Sequence, residues 1–346
     1  MPSIMSPALK SLLIPFERSI LSLPEDATAF LIRAEAAAEL RDRLPRLTCE
    51  QTYKPAYDRL TALGLSATRH LEGGFAAGLC LLTKDKTENL VNLARAWTLV
   101  RPGGLLVFAG QNDVGAASIQ RQARPVMGEI GHLSKNHCRV WWSRREDRSM
   151  PGPLSEWLAA GSDRIVDGTT YVARPGIFGW RQVDEGSQLL AGSLPADIRG
   201  AVADVGAGWG YLAATLIERC PRIGALDLFE AEWLGLEAAR TNVEAHRRPG
   251  IDVGYHWHDV TSGLPQSRYD WVVMNPPFHE GKGTDVDLGR RFVSAGADAL
   301  APGGTLVLVA NRHLPYEALL DARGLTARQI AQTRTFKVIE AKLRAG

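Results

Sequence analysis

Apolar residues along this chain fall into short unbroken runs alternating with longer stretches in which they recur at helical spacing. Thr28-Ala-Phe-Leu-Ile-Arg33 predicts a strand, and the Ala/Glu/Arg-rich stretch from about Ala34 to Arg43 a helix. Gly78-Leu-Cys-Leu-Leu82 predicts a short strand. Glu88 to Val100 reads as a helix with Leu90, Leu93, Ala94 and Trp97 on one face. Arg101-Pro-Gly-Gly104 closes it, and Leu105 to Ala109 is again strand-like. The same order returns later. A strand ends at Met274, a helix runs from Leu288 to Leu300, Ala301-Pro-Gly-Gly304 closes it, and Thr305 to Ala310 is a strand. Strand, helix, strand, repeated, is the pattern of an α/β fold.

Two Pro-Gly-Gly stretches in matching places, with matching strands around them, indicate an internal duplication. The copies differ where chemistry belongs. After its first strand the first copy has Arg33-Ala-Glu-Ala-Ala37, which offers no glycine for close backbone approach. It has Thr83-Lys-Asp-Lys86 where the second has Asn275-Pro-Pro-Phe278. The N-terminal half therefore reads as a copy that kept the fold and lost the site, and is expected to serve RNA binding or structure. The charged, then proline-rich stretch from Ser143 to Asp163 is the expected linker, dividing the chain into domains at about 1–155 and 165–346.

Composition narrows this little. The chain has 346 residues, 45% hydrophobic and 23% charged, as in ordinary soluble globular proteins. A formal net charge of +2 leaves no polybasic tail, so nucleic-acid binding must come from a local patch. Lys135-Asn-His-Cys-Arg-Val-Trp-Trp-Ser-Arg-Arg145 interleaves basic and aromatic residues, which suits stacking and phosphate contact. It equally suits a strand with Val140 and Trp142 inward and a solvated basic loop after it, and that second reading is preferred. Cys49, Cys80, Cys138 and Cys220 show no Cys-x-x-Cys spacing, which argues against a disulfide framework or a metal site. Leu12-Leu-Ile14 is interrupted by Pro15, Glu17 and Arg18, so neither a signal peptide nor a membrane span is expected.

The chemistry centres on Asn275-Pro276-Pro277-Phe278, closing the apolar run Trp271-Val-Val-Met274. Neither proline donates a backbone hydrogen bond, and each fixes its own φ. The Asn275 side chain and the Asn275 and Pro276 carbonyls are thus expected as a rigid fork of acceptors at a strand end. Such a fork beside an aromatic face suits a planar substrate bearing an NH2 group, with Phe278 stacking on its ring.

Gly200-Ala-Val-Ala-Asp-Val205 predicts a strand running into Gly206-Ala-Gly-Trp-Gly210, and a helix with Leu212, Leu216 and Ile217 follows. Such a turn brings a nucleotide-like ligand against bare backbone and a helix N-terminus. Its spacing is Gly-x-Gly-x-Gly, with Gly206, Gly208 and Gly210, and Asp204 precedes it. An acid there repels a pyrophosphate but suits an ammonium group. Glu230 ends the next strand and is placed to accept ribose hydroxyls, with Asp227 as its rival. Asp259 ends a third strand, where it can accept from an adenine amine beside Val260. Three acids at three consecutive strand ends point to S-adenosylmethionine.

With these residues in view, the chain resembles the class I S-adenosylmethionine-dependent methyltransferases that modify exocyclic or amide nitrogens, and more narrowly the ribosomal RNA guanine-N2 methyltransferases. The resemblance is carried by Pro175-Gly-Ile-Phe178, Asp184-Glu-Gly-Ser-Gln-Leu-Leu190, Asp204-Val-Gly-Ala-Gly-Trp-Gly210, Asn275-Pro-Pro-Phe-His-Glu-Gly281, Ala310-Asn-Arg-His-Leu-Pro-Tyr316 and Phe336-Lys-Val338. Trp209 is bulky for such a turn and is expected to point away from the cofactor. The resemblance implies two tandem Rossmann-like methyltransferase domains, each a mostly parallel seven-stranded sheet with an antiparallel C-terminal hairpin, the N-terminal one degenerate. It implies methyl transfer to guanine N2, with no strong general base required; His279 is read as a loop residue. It further implies ribosomal RNA or a ribosomal subunit as partner; the cysteine usage fits a reducing cytosol, no membrane is expected, and the sequence does not fix the oligomeric state, a monomer being favoured. The rival readings are an amine or amide methyltransferase acting on DNA adenine or protein glutamine, and an inactive RNA-binding protein.

Overall fold

The computed structural model describes residues 5–265, 268–277 and 283–344, the side chains of 283–286 excepted. The chain divides into two units, Met1–Ser162 and Asp163–Gly346. The first carries β1 (Ala29–Ile32), β2 (Leu47–Glu50), β3 (Ser66–Thr68), β4 (Phe75–Leu81), β5 (Val100–Gln111), β6 (Gly131–Lys135) and β7 (Cys138–Arg144). Its helices are α1 (Pro7–Glu17), α2 (Glu39–Arg43), α3 (Lys54–Ala62), α4 (Lys86–Leu99), α5 (Ala116–Met127) and α6 (Gly152–Ala159). The second opens with a hairpin of β8 (Arg164–Ile165) and β9 (Val172–Ala173) and α7 (Glu185–Ser193). Then come β10 (Arg199–Val205), α8 (Tyr211–Arg219), β11 (Arg222–Glu230), α9 (Trp233–His246), β12 (Asp252–Trp257) and β13 (Tyr269–Met274). It closes with α10 (Gly283–Asp298), β14 (Leu300–Asn311), α11 (Tyr316–Asp321), β15 (Leu325–Gln332) and β16 (Phe336–Leu343).

The two large sheets are ordered β3-β2-β1-β4-β5-β7-β6 and β12-β11-β10-β13-β14-β16-β15. Counted from the first strand of each, the order is the same, parallel except at the last two strands. The duplication extends to an irregularity. Phe75 pairs with Val100 and Ala77 with Leu105, just as Tyr269 pairs with Leu300 and Trp271 with Thr305. In each copy Pro-Gly-Gly is therefore a bulge inside a long strand, not the helix stop expected from sequence. Gly103 and Gly303 take φ of +77° and +75°. A Cβ on Gly104 or Gly304 would lie within 3 Å of a backbone carbonyl oxygen, Ala76 and Tyr269 respectively. Such a bulge needs glycine at both places.

Both sheets are covered on both faces, so the apolar runs of their central strands, such as residues 29–32, 202–205 and 272–274, are buried. This settles the basic-aromatic stretch. Val140, Trp141 and Trp142 are all buried in β7, and Trp141 stacks on Phe108 at 5.4 Å. Arg144 donates to the Gly103 carbonyl and Arg145 to that of Val100, so the arginines brace the bulge. Two other expectations shift. The helix read from Ala34 begins only at Glu39, because Arg33 turns the chain at φ 56°. The expected linker is largely structured: Ser143 and Arg144 belong to β7, and α6 packs against α4. The four cysteines are buried and free.

The first unit's sheet edge, where a cofactor would be expected, is filled by side chains. Arg33 pairs with Glu88 and donates to Thr52 Oγ1 at 2.7 Å. Glu50, at the end of β2, is held by Arg95 through two guanidinium nitrogens. Gln51 Nε2 donates to the Ala34 carbonyl at 2.8 Å. Among the described residues, no helix is long and apolar enough to cross a membrane.

Candidate functional site

The second unit keeps the carboxyl edge of its sheet open. β13 is a buried strand between β10 and β14, and its end sets Asn275 and Pro277 half-buried and Pro276 buried. Phe278 and His279 lie outside the described residues. The Asn275 amide is more constrained than the sequence indicated. Its Nδ2 donates to Asp184 Oδ2 at 3.0 Å and to Ser187 Oγ at 2.8 Å. Asp184 is the N-cap of α7, and the same Oδ2 accepts from Ser187 N at 2.9 Å. An ionised carboxylate is only an acceptor, so the amide nitrogen must face it and Oδ1 is the end left to accept. Sequence reasoning named Asp184 and Ser187 only within a stretch that carries the resemblance and gave them no role. They stand about 90 residues upstream of Asn275, and Asp-x-x-Ser is fully explained locally as a helix cap.

Asn275, Asp184 and Ser187 line one narrow crevice, about 50 Å3, with Gly206, Ala207, Gly208, Trp209 and Phe178. This brings Asn275 together with two of the three predicted glycines. Gly206 and Gly208 take φ of +78° and +56° and present bare backbone. Gly210 serves another purpose: a Cβ there would meet Ala239 of α9 at 3.0 Å, so it lets α8 pack close. Trp209 borders the crevice while its ring is packed into the core. It is 5% exposed and packs with Val166, Ala173, Ile177 and Val183, 5.7 Å from Tyr171. Buried Asn242 ties this loop down, donating to the Trp209 and Val172 carbonyls and accepting from Val172 N, each at 2.8 Å. Phe178, 62% exposed, stands at the rim on a turn between Gly176 and Gly179, both at positive φ, while Ile177 anchors that turn in the core.

The three acids lie at the ends of β10, β11 and β12 but differ in environment. Asp204 is wholly buried beneath the glycine turn, and among the described residues neither carboxylate oxygen has a hydrogen-bond partner. Burial pushes its pKa up to about 7, eased by the Ala213 amide of α8 and reinforced by Glu230. It is thus not presented to the crevice, as direct pairing with a ligand ammonium would require; its charge acts from below the turn. Glu230 accepts from Gly208 N and Glu232 N, each at 2.7 Å, and burial raises its pKa against those two bonds. Each of its oxygens keeps a further lone pair. Asp259 Oδ1 accepts from Thr261 N at 2.9 Å and Thr261 Oγ1 at 2.7 Å, which leaves Oδ2. Val260 beside it is core. Asp227 is occupied elsewhere, by His256 Nε2 and Tyr269 Oη at 2.8 Å each.

The methyltransferase small domain family profile matches residues 168–340 of this chain. The chain belongs to that family of class I methyltransferases. Similar relatives include the ribosomal RNA small subunit methyltransferase C of Salmonella paratyphi B, 33% identical over 260 residues, 74% of this chain and 72% of the relative. That of Salmonella typhi is 32% identical over 259 residues, with the same coverage. Among solved structures, a T. thermophilus 16S rRNA N2 methyltransferase in complex with AdoMet and guanosine superposes with a TM-score of 0.79. It is 23% identical and matched over 99% of this chain and 94% of its own. The likeness extends the two-domain fold to the N-terminal half, beyond the family profile.

Proposed function

We propose that this protein transfers a methyl group from S-adenosylmethionine to the exocyclic N2 of a guanine in ribosomal RNA. The observation that carries the reading is the pinned amide of Asn275, beside the glycine turn and at the end of a buried strand. The residues present fit the cofactor. A buried, unpartnered carboxylate at Asp204 makes the ground beneath the turn favourable to positive charge, as a sulfonium or ammonium requires. Gly206 and Gly208 offer backbone to approach. Glu230 and Asp259 keep acceptor capacity for ribose hydroxyls and an adenine amine respectively.

Bound there, S-adenosylmethionine supplies an electrophilic methyl group. The protein's part is orientation. Guanine N2 is a weak nucleophile because its lone pair is delocalised into the ring. Asn275 Oδ1, and the Asn275 and Pro276 carbonyls beside it, would accept from the amine and stabilise the charge that builds on nitrogen as the bond forms. Asp184 and Ser187 keep that amide from turning over. Phe278 is assigned the stacking role, with Pro277 fixing the chain into it. An unstacked or flipped guanine is required to reach so narrow a crevice. A monomer working on ribosomal RNA or a ribosomal subunit in the cytoplasm is part of this reading.

The test is mass-spectrometric mapping of methylguanosine in ribosomal RNA from a deletion strain, before and after incubation with the purified enzyme and labelled cofactor. One N2-methylguanosine missing in the deletion strain and restored by the enzyme is expected. Label on adenine, on protein, or nowhere would sink the reading.

A further inference from the structure

The N-terminal unit holds a cavity that none of the chemistry above uses. It measures about 320 Å3 and is lined by Ala117, Gln120, Arg121 and Arg124 of α5, by Glu129, and by His132 and Arg139 of the β6–β7 hairpin. The α5 residues follow i, i+3, i+4, i+7 spacing and so form one stripe on a single helix face. One wall is fixed by a chain of hydrogen bonds. Arg139 Nη1 donates to Gln120 Oε1 at 2.9 Å, Gln120 Nε2 donates to Glu129 Oε2 at 2.6 Å, and Glu129 Oε1 meets His132 Nδ1 at 2.9 Å. Gln120 is 7% exposed, so that wall is rooted in the core. Arg121 and Arg124 are exposed, and no side-chain partner holds them among the described residues. Three guanidiniums against one carboxylate leave the cavity positive.

Its counterpart in the second unit lacks this. α11, at the same place after the last parallel strand, carries Glu317 and Asp321 and no cation. The duplicated fold therefore does not by itself produce the cluster. Of the basic residues in the stretch from Lys135 to Arg145, Arg139 lines this cavity, whereas Arg144 and Arg145 donate to backbone carbonyls.

Resting on the ribosomal RNA reading above, we propose that this cavity is a phosphodiester-binding site, in which Arg121, Arg124 and Arg139 hold the RNA backbone while the other unit acts on the base. Guanidinium forks match phosphate oxygens in geometry as well as charge. Such contacts position RNA without reading its sequence.

The experiment uses the full-length protein with Arg121→Gln and Arg124→Gln together, and Arg41→Gln with Arg59→Gln as an equal-charge control on the same unit. Both proteins are compared with wild type for binding a fluorescent RNA stem-loop across a salt series, and for inorganic phosphate by calorimetry. The α5 variant should bind RNA about tenfold more weakly, with a salt slope lower by about 0.7 for each phosphate no longer neutralised. Its KM for RNA should rise while kcat and cofactor affinity stay unchanged. The control should change little. An affinity and slope matching the control, or a loss of phosphate binding with RNA affinity intact, would overturn the proposal. Failure of the functional reading looks different: wild type would bind RNA through these arginines and leave guanine N2 unmethylated.

Discussion

Replacing Asn275 by aspartate is the sharpest probe of the site. By shape it is conservative, and from sequence alone it looks the milder change, since an acceptor is kept. The structure reverses that expectation. The new oxygen would stand where Nδ2 now donates, 3.0 Å from Asp184 Oδ2 and 2.8 Å from Ser187 Oγ. Two unit charges about 3 Å apart repel by roughly 5 kcal/mol at an effective dielectric of about 20. A carboxylate pair relieves this by holding one proton, which raises the pKa of one member. Near pH 8, Asn275→Asp should therefore lose activity at least as deeply as Asn275→Ala, on the order of 10²–10³ in turnover if Oδ1 is the catalytic acceptor. Toward about pH 6 a shared proton should restore the donor to Asp184, and Asn275→Asp should recover relative to wild type. Asn275→Ala should show no such recovery. The assay is single-turnover methyl transfer to ribosomal RNA from the deletion strain over this pH range, with cofactor affinity measured in parallel. Near-wild-type turnover of Asn275→Asp near pH 8, or a pH profile parallel to that of wild type, would refute the pinned-amide argument.

Asp204→Asn should raise the thermal stability of the cofactor-free protein while weakening cofactor binding. The folded pKa of about 7 lies above the unfolded value of 3.8, so Asp204's favourable contribution is complete below the unfolded value and lost as pH rises through about 7. Above that, burying the charge costs about 4 kcal/mol. Melting curves should thus separate at pH 8 and converge at pH 4, and curves that coincide at both would contradict this. Glu230→Ala should leave the fold intact and weaken cofactor binding, since losing a charge-assisted bond costs about 1.5–3 kcal/mol. Unchanged affinity by calorimetry would move the ribose role to Asp259 or Glu232. The whole chain should bind one S-adenosylmethionine, because Arg33, Glu50, Glu88 and Arg95 fill the corresponding edge of the first unit; a stoichiometry of two would refute that.

Much was legible in the sequence because it is local. A buried parallel strand is an unbroken apolar run, a close-approach turn needs glycine, and a strand stopped by two prolines stops visibly. Hence the α/β class, the duplication, the strand ends bearing Asp204, Glu230 and Asp259, and the position of Asn275 could all be read one segment at a time. Where the sequence misled, a contact distant along the chain decided. Pro-Gly-Gly looks like a helix stop until the neighbouring strand shows it to be a bulge. Arg144 and Arg145 read as a solvated basic loop until the carbonyls of that bulge take them. Asp204 looks like a ligand-facing acid until the turn closes over it. Asp184 and Ser187 belong to a stretch that carried the resemblance without a role of their own, and only the meeting of the start of α7 with Asn275 turns them into the pair that fixes which atom of that side chain faces the crevice. Residue type sets what a group can donate or accept. Which of its lone pairs and protons remain for a substrate depends on neighbours from elsewhere in the chain, and those are brought into range by tertiary packing.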